Sequence, residues 1–472
     1  MSDDDLCFAS ATELAAMVRQ RQVSARELLD AHLDRIERLN PEINAIVTLD
    51  EDGARATADA ADAATSRGES TGPLHGLPVA HKDTHATAGM RTTWGSPLHR
   101  DFVPAQDELV VARMRTAGAV RVGKTNVPEF AAGSHTFNTV FGVTRNPYRL
   151  DVSAGGSSGG AAAALASGMV ALAEGSDMGG SLRNPAAFCN VVGLRPTPGR
   201  VPTHPAQLGW STLSVQGPMG RTVGDVALGL SVLAGPDARV PISLAEEGSG
   251  FAAPLPHELP GLRVAWAPDL GGRIPVDAAV RDVLGPLPAV FEHLGSEVVE
   301  ACPDLDRADE VFEVLRAWLF VASLGDVAAR HPDKIKQTIL WNVEQGRRLS
   351  GADVARAEVL HTRLHQRVVE FFSEYDVLVA PTTQVVAFDV GTEYPTEVDG
   401  VPQDSYLGWM RSCSMVTAAG VPALSVPAGF TDDGLPVGLQ IIGAPRADRR
   451  VLEVGHAFEQ ATGVGRRRPP GR

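Results

Sequence analysis

Short apolar segments alternate with helical patterns from Leu74 onward, and this alternation limits the folds open to the chain more than any other feature. Stretches rich in Val, Ala and Leu are typical of strands that are buried on both faces of a sheet. Strands that alternate with helices predict a sheet on which those helices pack. We therefore predict an α/β fold with one mixed central β-sheet, covered by helices on both faces.

The chain divides into three regions along its length. Residues 1–70 are predicted to form an N-terminal helical region, and residues 71–235 to form the core that carries the chemistry. A loop rich in Pro and Gly crosses 236–258, which is typical of a soft boundary. We assign residues 236–472 to the remainder of the same α/β domain, with helices near the substrate pocket and closing strands.

Local patterns predict the individual elements. The capping box Ser24-Ala25-Arg26-Glu27 begins a helix whose apolar residues recur at helical spacing until Asn40-Pro41 stops it. Further helices are predicted at about 51–66, 159–168, 181–188, 277–295 and 351–373, and strands at about 170–175, 262–266, 375–381, 422–428 and 437–443.

Charge and cysteine usage exclude several classes of function. A net charge of −15 leaves no broad basic surface for nucleic acid and favours small uncharged or apolar substrates. The start Met1–Asp5 is acidic, unlike a secretory signal, and the apolar stretch 161–173 is too short to span a bilayer. The cysteines lack the spacing of a zinc site or a disulfide framework: Cys7, Cys189, Cys302 and Cys413. We expect a cytoplasmic monomer or homodimer with no nucleic-acid or membrane partner.

Two glycine-rich turns that contain serine point to acyl-transfer chemistry. The turns are Gly155–Gly160 and Asp177–Ser181, and Ser157 and Ser181 lie 24 residues apart. A short helix followed by a strand of similar length separates them, so the two serines can meet. The backbone N–H groups of residues 178–181 would form a donor cluster suited to an oxyanion. Either turn alone is more typical of a helix N-terminus, where Ser and Gly are common, and only the two turns together with Lys82 favour the chemical interpretation.

Lys82 is the candidate base. The chain has only four lysines among 42 basic residues, and Lys82 ends the apolar segment Leu77–Lys82. Side chains alternate along a strand, so Lys82 shares a face with Ala80 rather than with Asp83. A buried lysine loses its proton more readily, whereas arginine does not, so burial would prepare Lys82 for proton transfer. A lysine at a strand end is also commonly a solvated tip, and the sequence leaves that alternative open.

Three other motifs fit less well. Gly118–Thr125 matches the phosphate-loop pattern, but its middle is a strand rather than a glycine loop. Gly155–Gly159 matches the nucleophile elbow of α/β-hydrolases, but the histidines that could complete a triad fall in predicted helices: His361, His365 and His456. Asp432-Asp433 precedes a glycine and is typical of a turn rather than of a metal site.

Taken together, these residues resemble the amidase signature family. The resemblance is carried by Lys82 before Asp83, by Ser157 and Ser181 at their spacing, and by the segments Arg183–Cys189 and Val192–Thr197. It is specific between about 74 and 225 and weaker through 420–427 and 438–440.

The resemblance implies roles for these residues. Ser181 corresponds to the nucleophile, Ser157 to the middle serine, which precedes a cis peptide, and Lys82 to the base. The oxyanion hole falls on the second turn, an acyl-pocket contact falls near Ala131, and Ser158 orients the lysine. The substrate-binding residues are then Ala131, Ser157, Met178, Gly179, Gly180 and Ser181, while Asp177 and Arg183 shape the turn.

The function implied is hydrolysis of C–N bonds in small carboxamides through a serine acyl-enzyme. Aliphatic and aryl acylamides are the expected substrates, with carbamates and urethanes as further candidates, and we expect no metal and no organic cofactor. The alternative is the glutaminase subunit of a tRNA-dependent amidotransferase, which would need a companion subunit. The segment Trp341–Arg347 does not resemble the matching part of that subunit.

Overall fold

A central sheet of 11 strands organises the molecule. The computed structural model describes residues 3–69 and 71–471. The strands lie at Ile46–Leu49 (β1), Pro78–Lys82 (β2), Val120–Thr125 (β3), Phe137–Asn138 (β4), Gly142–Val143 (β5), Leu172–Asp177 (β6), Val192–Arg195 (β7), Val215–Gly220 (β8), Arg263–Trp266 (β9), Glu297–Glu300 (β10), Val377–Pro381 (β11), Glu397–Val398 (β12), Val401–Pro402 (β13), Ala423–Phe430 (β14) and Pro436–Gly443 (β15). The order in the central sheet is β1-β3-β2-β6-β8-β7-β14-β15-β11-β9-β10, while β4 pairs with β5 and β12 with β13 in two small separate sheets.

Helices flank this sheet, which confirms the predicted α/β class. Their bounds are Asp3–Phe8 (α1), Ala11–Arg19 (α2), Ala25–Ile43 (α3), Glu51–Arg67 (α4), Leu109–Thr116 (α5), Gly159–Ala166 (α6), Arg183–Phe188 (α7), Val223–Leu233 (α8), Ala278–Leu284 (α9), Pro288–His293 (α10), Ala308–Arg330 (α11), Gln337–Arg348 (α12), Gly351–Phe371 (α13), Arg411–Ala419 (α14) and Asp448–Thr462 (α15). None of these helices combines the length and apolar composition needed to cross a membrane.

The sheet is mixed, as predicted. β2 runs parallel to both β3 and β6, whereas β6 and β8 are antiparallel. β14 pairs with β7, so strands from beyond residue 236 continue the sheet formed by strands before it.

The alanine-rich helix α6 is buried over its whole length. Its small residues let it approach neighbouring backbone closely: a Cβ at Gly160 would lie 2.3 Å from the backbone nitrogen of Asn126. This close packing places the start of α6 beside the ends of β2 and β6, where the candidate site lies.

Several elements differ from the sequence-based predictions. Helix α3 continues through Pro41 and ends at Asn44, which has left-handed geometry. A proline in the last turn removes a single hydrogen bond, so the helix tolerates it there. The helix predicted over 277–295 is two helices, because Gly285 and Pro286 separate α9 from α10. Strand β1 within the predicted helical region, and helix α11, were not predicted.

The Gly118–Thr125 motif is a strand, not a phosphate loop. Lys124 is fully buried in β3, and its Nζ donates to Thr87 Oγ1 at 2.8 Å. All four cysteines are free.

Candidate active site

Lys82 lies at the end of β2 in contact with three serine hydroxyls. Its Nζ is 2.8 Å from Ser157 Oγ, 2.8 Å from Ser158 Oγ and 3.0 Å from Ser176 Oγ. β2 and β6 are parallel neighbours, so their carboxyl ends meet at one edge, and the side chain of Lys82 is completely buried there. The alternative of a solvated lysine tip is therefore wrong.

Burial lowers the pKa of Lys82 to about 7. The loss of hydration disfavours the charged ammonium, while the negative charges of Glu174 and Asp177 offset part of this effect. A lysine with this pKa is substantially neutral at physiological pH and has a lone pair that can accept a proton.

The two serine turns face one cavity. Ser157 and Ser181 both line a cavity of about 120 Å³, together with Ala131, Met178 and Gly179. The backbone N–H of Ser158 donates to the carbonyl oxygen of Ser181 at 3.1 Å, which joins the two turns directly. The structure thus brings together the residues proposed from the sequence, with one exception.

That exception is Gly180. Its N–H donates to Asp177 Oδ1 at 3.0 Å, and it is absent from the residues that line the cavity. The N–H groups of Met178, Gly179 and Ser181 have no hydrogen-bond partner within the described part of the chain. They are the donors that remain for a ligand oxygen at this turn.

Gly180 instead permits the backbone conformation of the turn. Its φ of +108° is disfavoured for other residues, and a Cβ there would lie 2.7 Å from both Asn184 Nδ2 and Cys413 Cβ. No residue other than glycine fits this position without displacement of its neighbours.

Asp177 and two arginines hold the turn from behind. Asp177 accepts hydrogen bonds from Gly180 N, Leu182 N and the Arg183 guanidinium, and Arg195 donates to its carbonyl oxygen at 2.7 Å. Burial alone would raise the pKa of Asp177, but the charges and hydrogen bonds of Arg183 and Arg195 hold it well below its usual range. Asp177 is therefore a fixed anion that positions the turn.

The cis peptide bond of the first turn joins Gly156 to Ser157, so it lies before Ser157 and not after it as the family resemblance had suggested.

Two hydroxyls support the first turn, and sequence patterns gave no signal for them. Ser134 Oγ donates to the carbonyl oxygen of Gly156 at 2.6 Å, and Thr136 Oγ1 donates to that of Gly155 at 2.8 Å.

A buried carboxylate beside Lys82, with two histidines in contact with it, was also missed by sequence reasoning. Glu174 accepts the backbone N–H of Lys82 at 3.0 Å, and its carboxylate lies 3.1 Å from His81 Nδ1 and 2.5 Å from His85 Nδ1. Although burial favours the protonated acid, His85 and His81 hold the pKa of Glu174 well below its usual range. His81 and His85 thus both contact the Glu174 carboxylate.

A larger cavity of about 360 Å³ adjoins the small one. The two share five residues in their walls: Phe130, Ser176, Met178, Ser214 and Phe320. Apolar side chains from α11 and from the loop before β8 line much of the larger cavity, including Val201, Leu208, Leu319 and Leu324. Polar side chains, among them His85, Glu108 and Gln216, line the rest of it. The arrangement offers a small compartment next to Ser181 and a roomier one of mixed polarity beyond it.

The histidines of the nucleophile-elbow alternative lie elsewhere. His361 and His365 are on α13 and His456 is on α15, and none belongs to the lining described for the cavity of Ser157 and Ser181. Within residues 3–69 and 71–471, no cluster of His, Cys, Asp and Glu is arranged to hold a metal ion.

Comparison with known proteins identifies the family of this chain. The sequence profile of the amidase family matches residues 27–452, which is most of the chain. The chain belongs to the amidase family. Hydrolysis of amide C–N bonds is the chemistry of this family, and the amidase fold matches the α/β sheet described above.

Individual amidase-family relatives cover almost the whole chain. It is 37% identical to an acylamidase of Rhodococcus erythropolis, over 97% of this chain and 96% of that protein. It is 38% identical to one subunit of the glutamyl-tRNA(Gln) amidotransferase of Geobacillus thermodenitrificans, over 97% of this chain and 98% of that protein. The crystal structure of a bacterial aryl acylamidase superimposes with a TM-score of 0.91 and 32% identity, covering 98% of this chain and 99% of that one.

Proposed function

We propose that this protein is a free-standing amidase that hydrolyses small carboxamides through an acyl-enzyme on Ser181. The observation that carries the proposal is the buried Lys82 Nζ at 2.8 Å from Ser157 Oγ, in the cavity wall that also contains Ser181. Ser181 is the nucleophile, Ser157 the proton relay and Lys82 the base.

The reaction begins with proton transfer through the relay. Neutral Lys82 takes the proton of Ser157, Ser157 takes that of Ser181, and Ser181 Oγ forms a bond to the substrate carbonyl carbon. The carbonyl oxygen becomes an oxyanion, which the free N–H groups of Met178, Gly179 and Ser181 stabilise.

Collapse of this intermediate breaks the C–N bond. The proton held on Lys82 returns through Ser157 to the departing nitrogen, which leaves as the free amine. Water then attacks the acyl-enzyme, and the same relay accepts its proton and returns one to Ser181 Oγ. The carboxylic acid is released and the three residues regain their initial state.

The two cavities suggest where the acyl portion and the amine portion of the substrate bind. The small cavity, lined by Ala131, suits the acyl group, and the larger cavity has room and apolar surface for an aryl or alkyl amine portion. The similarity to an acylamidase and to an aryl acylamidase supports acylamides as the substrate class. Aryl acylamides are therefore the first substrates to test, followed by aliphatic amides and aryl carbamates.

A second candidate is the glutaminase component of an amidotransferase. Its support is the 38% identity to the glutamyl-tRNA(Gln) amidotransferase protein over nearly the full length of both chains. In this role the chain would act on glutamine in complex with companion subunits.

The test is turnover by the purified chain alone. We would offer para-nitroanilides, aliphatic amides, aryl carbamates and glutamine to the wild type, to Ser181→Ala and to Ser373→Ala, which alters an exposed serine beyond α13. We expect anilide turnover that Ser181→Ala abolishes and Ser373→Ala leaves unchanged. Activity confined to glutamine, or dependent on added subunits, would instead establish the second candidate.

A further inference from the structure

Glu108 places a carboxylate in the wall of the larger cavity. It immediately precedes α5, it is 9% exposed, and it lines the cavity beside Gln216. Its Oε1 accepts a hydrogen bond from Gln216 Nε2, and its Oε2 accepts one from the backbone N–H of Ala86 at 3.2 Å. A carboxylate can accept about four hydrogen bonds, so Glu108 retains acceptor positions for a further donor.

The larger cavity has no fixed positive charge to balance this carboxylate. None of the residues described as lining it is Lys or Arg, and the Nδ1 of its lining histidine, His85, lies 2.5 Å from Glu174. Within residues 3–69 and 71–471, Glu108 forms no ion pair. Burial raises the pKa of Glu108, and a cation bound beside it would restore the ionised form.

The buried carboxylates next to Lys82 are better compensated. Asp177 is paired with Arg183, and Glu174 is in contact with two histidines. A buried carboxylate without a cation is unfavourable, whereas a charge-assisted hydrogen bond to it is among the stronger polar interactions in proteins. The wall at Glu108 therefore favours a ligand that brings a positively charged donor.

The sheet places Glu108 within reach of a substrate held at Ser181. Ser176 on β6 is directly opposite Gln216 on the antiparallel strand β8, so their side chains share a face and begin about 5 Å apart. Ser176 lines both cavities, and its Oγ lies 3.0 Å from Lys82 Nζ. An amine portion that extends past Ser176 into the larger cavity therefore meets Gln216 and then Glu108.

We propose that Glu108 binds an ammonium group on the amine portion of the substrate. The inference rests on the proposed function, because Ser181 and the two cavities define which portion of the substrate reaches Glu108. The substrate class is then the monoacylated diamine, in which one nitrogen belongs to the scissile amide and the other is protonated. Phe130, Leu319 and Phe320 line the space for the ring or alkyl chain between the two nitrogens.

A neutral donor fits Glu108 less well than an ammonium group. A hydroxyl group can donate one hydrogen bond, but it leaves the buried negative charge without a counterion. We therefore expect the cavity to prefer an ammonium group over a hydroxyl group, and a hydroxyl group over a methyl group, at the same position.

The test compares two acetanilides that differ in one terminal group. The para-aminomethyl compound ends in an ammonium group, and the para-ethyl compound ends in a methyl group of similar size. We expect Glu108→Gln to lower kcat/KM for the aminomethyl substrate by about 10- to 100-fold and to change the ethyl value by less than about threefold. Glu37→Gln, which neutralises an exposed glutamate of α3, should leave both values unchanged.

Calorimetry with the corresponding free anilines separates this inference from the proposed function, because binding of a product needs no turnover. We expect the wild type to bind para-(aminomethyl)aniline at least tenfold more tightly than para-ethylaniline, with para-(hydroxymethyl)aniline in between, and Glu108→Gln to erase the difference. Such selective binding without turnover of either acetanilide would overturn the proposed function and support the inference. Equal loss on both acetanilides, no preference in the wild type, or tightest binding of the hydroxymethyl compound would overturn the inference.

Discussion

At the scale of single residues, the state of Lys82 decides when the proposed relay works. Burial lowers its pKa to about 7, and only the neutral amine can accept the proton of Ser157. The activity should therefore rise with pH through an acid limb centred near 7 and then level off.

The limb can be assigned because the chain has only four lysines. We expect NMR of isotope-labelled lysine side chains to show one group that titrates near pH 7 and whose signal is missing in Lys82→Met. A rate profile that stays flat between pH 5 and 8, or a Lys82 signal that titrates near 10, would show that Lys82 is not the base.

The neighbouring glycines 179 and 180 give a matched pair of substitutions. Gly180→Ala forces a side chain into φ +108° and places its Cβ 2.7 Å from Asn184 and Cys413, so it should destabilise the protein by about 2–4 kcal/mol. In Gly179→Ala the nearest contact is Phe312 Cζ at 3.2 Å, and we expect a loss below about 1 kcal/mol. Urea unfolding at pH 7 measures both, and equal losses would contradict this account of the turn.

Residues in local motifs were predictable, whereas residues recruited by tertiary packing were not. Lys82, Ser157 and Ser181 stand in short segments whose composition already suggests chemistry. Glu174 carries no such signal, because it acquires its role only when β6 places it beside β2, where it accepts the N–H of Lys82. The N–H of Gly180 was assigned to the oxyanion hole for the same reason: its bond to Asp177 depends on a side-chain conformation that spacing does not reveal.

At the scale of elements, the capping box at the start of α3 is a sequence motif that contributes directly to the free energy of unfolding. Ser24 Oγ accepts the N–H of Glu27 at 3.0 Å, and the Ser24 N–H donates to the Glu27 carboxylate at 2.9 Å, as the capping box predicted. Ser24→Ala should lower the free energy of unfolding by about 1 kcal/mol. Ser24→Thr retains the acceptor and should lose less, and neither variant should alter kcat/KM, because α3 is remote from the cavity lining.

The predicted element boundaries were right where capping signals and hydrophobic periodicity agreed. They were wrong where these two signals conflicted. α13 begins at its own capping box, Ser350 with Asp353, and matches its predicted range closely. The pattern over 277–295 has helical periodicity throughout, yet Gly285 and Pro286 divide it. β1 is only four residues long, and its pairing with β3 is a tertiary contact that the local sequence pattern does not indicate.

At the scale of the whole molecule, net charge and pocket charge are separate properties. The net charge of −15 led us to expect uncharged substrates. Exposed charges are screened by salt over about 8 Å, whereas a buried guanidinium is screened much less. The net charge of the chain therefore does not determine the charge that a substrate meets at the site.

The pH dependence of global stability combines buried groups of opposite sign. Burial lowers the pKa of His32 to about 4, so between pH 6.5 and 4 the unfolded chain binds a proton that the folded chain does not. His32 therefore reduces stability as the pH falls through this window. Burial raises the pKa of Glu459 to about 8, so between pH 8 and 4.5 the folded chain holds the extra proton and stability increases as the pH falls.

Because these contributions oppose each other, the wild-type profile alone cannot identify them, but two substitutions separate them. Relative to the wild type, His32→Leu should gain about 1.4 kcal/mol in the free energy of unfolding for each pH unit below 6.5. Glu459→Gln should lose stability relative to the wild type at about the same rate between pH 8 and 4.5. Urea unfolding at pH 8, 7, 6 and 5 measures both differences. Relative stabilities that move in the same direction would mean that at least one of these groups is charged in the folded protein at neutral pH.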